Sequence, residues 1–169
     1  AASVAALVEA RGYGPRGPWV PLLRSPEVMT RARAMGDSLR YNTSLEPRLS
    51  EFLILLTARE WTQQYEWYAH RNIALEAGIS SEIVGAIAEG RRPDGMAEDH
   101  TVLYAIFSEL NHTKHVSEGT YARAIEMFGE RGVIDTIGII GYYTLLAMAM
   151  NTARTPTPDD AVTPLASLP

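Results

Sequence analysis

Residues 46–79, EPRLSEFLILLTAREWTQQYEWYAHRNIALEAGI, decide how the rest of the chain reads. Pro47 opens an apolar run in which Leu49, Phe52, Leu53, Leu55, Leu56 and Ala58 leave little polar face. A helix apolar nearly all round belongs in a core. Glu51 interrupts it, and a carboxylate in that setting needs a partner or a task. Trp61-Thr62 forms the elbow, with Thr62 as the expected cap. A second helix runs from about Gln63 to Ala77 and stops at Gly78. Positions four apart on a helix lie within about 40° around its axis, so Glu66 and His70 project from one face. A carboxylate beside an imidazole raises its pKa and fixes its tautomer, which makes an acid–base pair.

The flanking sequence reads as further helices. Ser25-Pro26-Glu27 starts one that runs to about Tyr41, with an apolar stripe of Val28, Met29, Ala32, Met35, Gly36 and Leu39. Asn42-Thr43-Ser44 breaks it. Beyond Gly78, Ser80 or Ser81 caps a short helix to Ala88, and residues 90–95 form a loop. Later helices span about Ala97–Asn111, with His100 facing solvent at its polar start, then Ser117–Phe128, broken by Gly129, and Gly132–Met150. Ala1–Ala10 is a short apolar helical segment. Residues 12–21, GYGPRGPWVP, hold three glycines and three prolines and form an extended arm. Its Trp19 packs either on the chain's own helices or on a neighbouring subunit. After Asn151 the Pro- and Thr-rich tail is expected to be loose. Nothing alternates like a strand. The expected fold is all-α with six or seven helices: an arm at 1–24, a helical domain at 25–151 and a tail at 152–169.

Composition narrows the function. Hydrophobic residues make up 46% of the 169 and charged residues 21%, enough for an ordered core in one domain. The net charge is -5 and no basic patch interleaves with aromatics, so nucleic acid is not an expected partner. The chain has no cysteine, which removes disulfides, thiolate catalysis and sulfur-ligated metal sites. The stretch Ile137–Met150 reads as too short to span a bilayer and is interrupted by Gly138 and Gly141, so no membrane is expected. No basic segment precedes an apolar one in signal-peptide fashion, and the expected location is the cytoplasm. Glu109 and His112 form one Glu-x-x-His element, where a di-iron bundle needs two. His112 and His115 sit at an exposed helix end, and no metal is expected.

The core resembles the carboxymuconolactone decarboxylase and alkylhydroperoxidase AhpD-like superfamily. RLSEFLILLTAREW and YEWYAHRNIALEAGISSEIVGAI carry the likeness, through Glu51, His70, Ala74, Gly78, Glu82 and Ile83. It covers about Pro47–Ala88, and the arm, PLLRSPEVMTRARAMGDSLR and GYYTLLAMAMN look like segments of longer members. The peroxidase branch carries a Cys-x-x-Cys pair where this chain has Gln63 and Glu66. Glu in place of the second cysteine is similar to the decarboxylase-like branch.

That resemblance implies an AhpD-like helical bundle and a cofactor-free lyase acting on a small lactone or cyclic carboxylic acid. Isomerisation and hydration are chemically close alternatives, and a non-catalytic small-molecule-binding protein on the same fold is another. His70 is the expected proton donor and shuttle. Glu66 orients it, and Glu51 either holds His70 or moves a proton itself. Tyr65, Trp67, Tyr142 and Tyr143 are the candidate substrate-binding residues, with Asn151 as a further polar tip. On the residues alone, Glu66 and His70 also read as a surface helical pair, and Glu51 as an ion pair with Arg48 or Arg59. The resemblance further implies a homo-oligomer, a trimer or hexamer, with a dimer also open.

Overall fold

A computed structural model describes residues 14–158, 161 and 165–167. Among these there are seven helices and no strand: α1 (Trp19–Leu22), α2 (Pro26–Tyr41), α3 (Pro47–Glu60), α4 (Gln64–Glu76), α5 (Ser81–Ala88), α6 (Glu98–His112) and α7 (Glu118–Ala153). The apolar segment read over Ala1–Ala10 lies outside the described residues.

The hub is α3. Every residue from Leu49 to Arg59 is buried, and α4, α5, α6 and α7 all pack on it. Side chains such as Phe52, Leu53 and Leu55 are wholly enclosed, each worth about 1.5–3 kcal/mol of transfer free energy. A helix buried on all sides must satisfy its polar groups locally. Thr57 Oγ1 donates to Leu53 O at 2.8 Å. The Arg59 guanidinium donates to Ala166 O at 2.7 Å and Ala88 O at 3.3 Å. Arg48 instead pairs with Asp99 and Glu46. Neither arginine meets Glu51.

The elbow is built differently from its expected form. Thr62 takes a left-handed conformation (φ 44°) and turns the chain. Gln63 is the cap: its Oε1 accepts from Glu66 N at 2.9 Å. The other end of the same amide donates to Asn151 Oδ1 at 3.1 Å, and Asn151 Nδ2 donates to Trp61 O at 2.9 Å. Asn151 therefore fastens the end of α7 to the turn between α3 and α4.

Four further expectations are corrected. Residues 19–22 of the arm form one helical turn, and Trp19 is buried in the chain's own core. The tail is not all loose: Gln64 exchanges two hydrogen bonds with the backbone of Leu165, at 2.7 and 2.8 Å, and the Leu165 side chain is buried. His100 does not face solvent but packs tilted against Phe52, ring centroids 4.6 Å apart. The apolar stretch read as too short to span a bilayer belongs to a 36-residue helix that is long and apolar enough to do so. Half of its most apolar window is buried in the bundle, which suits a core helix. The break expected at Gly129 is present: its φ of 67° and ψ of 173° are not helical, and they separate two helical segments within that span.

Candidate active site

The pairing of α3 with α4 brings two sequence-distant residues face to face. Glu51 on α3 and His70 on α4 are 7% and 8% exposed, and His70 Nδ1 lies 2.8 Å from Glu51 Oε2. One ring nitrogen is thereby engaged by a carboxylate, which fixes the tautomer and leaves Nε2 as the other proton-transfer atom. Tyr143, from the inner face of α7, meets the imidazole edge to face at 5.1 Å between centroids. Tyr142 packs against Tyr143 in the same way at 5.2 Å. Burial, with Glu51 nearby, pushes the Tyr143 phenol far above its ordinary range, so it stays neutral.

His70 lines a cavity of about 280 Å³. Tyr65, Tyr142 and Tyr143 line it too, together with Trp19 from α1. Trp67 does not: it is sealed in the core at 2% exposure. Tyr65 also borders a larger open groove between the arm, α4 and residues 153–158.

Glu66 has a different place from the one its spacing suggested. Its carboxyl group is buried, and neither oxygen has a hydrogen-bond partner among the described residues. The carboxylate that holds His70 is Glu51. The i, i+4 relation puts Glu66 and His70 side by side on α4, whereas the crossing of α3 puts Glu51 opposite the ring. Burial raises the Glu66 pKa well above its ordinary value, because the ionised form would lose its hydration.

Sequence reading missed Arg16, Arg40 and Gly36, all of which line the cavity. Gly36 was read as part of a core stripe, but it works by absence: a Cβ there would sit 2.2 Å from the Tyr142 hydroxyl. Arg40 is one helical turn beyond Gly36, and that spacing was the available signal. Among the described residues no three His, Asp or Glu side chains group as a metal site. Glu109, read beside His112, accepts instead from Thr120 Oγ1 at 2.7 Å and Ser117 N at 2.6 Å, tying α6 to the start of α7.

No family model matches the chain, and no curated protein matches its sequence.

Proposed function

We propose that the chain is a cofactor-free lyase of the carboxymuconolactone decarboxylase kind, acting on a small lactone or cyclic carboxylic acid in the His70 cavity. The observation that carries this reading is the buried Glu51–His70 contact of 2.8 Å at the wall of a cavity of small-molecule size. Two groups of this type, desolvated and in contact, are arranged as acid–base catalysts are.

The chemistry follows from the two ring nitrogens. The bond from the substrate ring carbon to its carboxylate carbon breaks, carbon dioxide leaves, and the electron pair spreads into the carbonyl as an enolate. A proton on His70 Nε2 is delivered to that carbon and is replaced from water. Glu51 holds Nδ1–H across the 2.8 Å contact and keeps the ring in place. The hydroxyls of Tyr142 and Tyr143 are suited to receive the oxygen that gains charge. Glu66 lines no wall of this cavity and takes no direct step.

One observation favours a second reading, a proton-transfer isomerase. Among the described residues that line the cavity, His70 is the single imidazole and none is a carboxylate, and one base suffices for a 1,2- or 1,3-proton shift.

The test is a panel of lactone carboxylic acids in D₂O, followed for carbon dioxide release and deuterium uptake. Carbon dioxide release that falls about 10²–10⁴-fold in His70→Asn supports the lyase. Glu51→Gln should also lose rate. Deuterium uptake with the carboxylate retained points to the isomerase. Neither event on any member of the panel ends both readings.

A further inference from the structure

The outer face of α7 carries a pattern that the fold of one chain does not use. Beyond Gly129, the residues Ile134, Ile137, Gly141, Leu145 and Met148 are all exposed. At about 100° per residue, all of them lie within about 40° of Gly141 around the helix axis, so they form one straight stripe. Their steps are three, four, four and three residues. The stripe therefore reads the same in both directions from Gly141. Gly141 has no role in the packing described above: a Cβ there would meet nothing within 4 Å among the described residues. Glycine inside a helix is also unfavourable relative to alanine. What a bare Cα does provide is close approach by another backbone. Charge follows the same symmetry. Glu130 lines the hollow that Ile134 and Ile137 share with Ile106 and Tyr121. Arg24 lines the hollow at the other end, with Leu145, Met148 and Thr152. Glu130 and Thr152 are each eleven residues from Gly141. The stripe thus has an acid at one end and a base at the other.

We infer that α7 pairs with α7 of a second copy, antiparallel, about a two-fold axis through Gly141. In that register Ile134 meets Met148 of the second copy, Ile137 meets Leu145, and glycine meets glycine. Glu130 of each chain reaches the Arg24 end of the other. Arg24 Nη1 donates to Val20 O at 3.0 Å and the side chain is exposed. A guanidinium has five N–H donors, so one bond to a carbonyl leaves others for a carboxylate. A parallel pairing would set Glu130 against Glu130 and gain no such ion pair. A two-fold axis makes every contact occur twice, so a short patch gives a self-complementary interface. The pairing does not depend on the chemistry of the His70 cavity, yet it reaches that cavity's wall. Tyr142 and Tyr143 directly follow Gly141 and line the cavity from the inner face of the same helix.

The experiment joins sedimentation equilibrium to cysteine cross-linking of the full chain, which has no cysteine of its own. Wild-type protein is expected to sediment as an even number of 18.6 kDa chains. Gly141→Cys should cross-link to itself with a short bis-maleimide. Ile134→Cys alone and Met148→Cys alone should not, because like positions lie about 21 Å apart along the axes. A mixture of those two, allowed to exchange subunits, should cross-link. Glu130→Arg should raise the dissociation constant about tenfold, and adding Arg24→Glu should restore it. A wild-type monomer or trimer overturns the inference, and so does a monomer that partitions into phosphatidylcholine vesicles instead of pairing. Self-cross-linking of Ile134→Cys, failure of both Gly141→Cys and the mixed pair to cross-link, or a double swap no tighter than Glu130→Arg overturns it as well.

Discussion

Glu51 and Glu66 show what a buried carboxyl does with and without a partner. Glu51 meets an imidazole at 2.8 Å, whereas Glu66 has no hydrogen-bond partner among the described residues and burial pushes its pKa up. The second case has a thermodynamic sign. The folded state binds the Glu66 proton more tightly than the unfolded state, whose value is near 4.5. Its contribution to stability is therefore fully present below about pH 4.5 and is lost as pH rises towards the folded-state value. His100 works the other way. Burial lowers its pKa from 6.5, so its contribution is present above that pH and is lost as pH falls below it. His100 is common to the wild type and Glu66→Gln, so the difference between the two proteins isolates Glu66. Urea denaturation from about pH 4.5 upward should show stability falling more steeply with pH in the wild type than in Glu66→Gln. Equal slopes in the two proteins would mean that Glu66 is ionised in the fold.

At the level of elements, the helices were legible because each carries its own punctuation. Pro26 and Pro47 mark the starts of α2 and α3, and Gly78 (φ 100°) ends α4 as expected. The elbow was legible in place but not in mechanism. Thr62 looked like a cap because threonine is a frequent one, yet the cap is Gln63, whose long amide also reaches Asn151 on a distant helix. Local sequence does not contain that second partner. The same limit explains Glu66: helical spacing predicts neighbours on one helix, while the choice of Glu51 as the partner of His70 depends on how α3 crosses α4. Arg40 and Arg16 were missed because the cavity wall is assembled from the arm, α2, α4 and α7, and the one local signal was the four-residue step from Gly36 to Arg40. The elbow itself carries a prediction. A β-branched residue at positive φ costs about 1 kcal/mol that asparagine avoids. Thr62→Asn should raise the thermal midpoint by about 2–4 °C, and a lower midpoint would show that the Thr62 side chain contributes more than its backbone strain costs.

For the whole molecule, the outer face of α7 sets the expected behaviour. Ile134, Ile137, Leu145 and Met148 are exposed, and Gly141 lies among them. Their spacing is that of a helix–helix seam, in which apolar positions recur every three or four residues. A seam of this kind on a single chain is expected to be covered, and its regular pattern suits a second copy. Sedimentation equilibrium should show a homo-oligomer that Ile134→Glu with Leu145→Glu dissociates. A wild-type chain that sediments as a monomer at all concentrations ends that expectation. The proton on Glu66 has one more consequence at this scale. The formal charge of -5 counts every Asp and Glu as ionised, whereas burial makes the folded chain hold the Glu66 proton to a higher pH than the unfolded chain does. Electrophoretic mobility and isoelectric point follow the folded count, so between those two values the native chain migrates as a less acidic protein than its sequence spells. Denaturing it in that interval hands the stored proton back to the buffer.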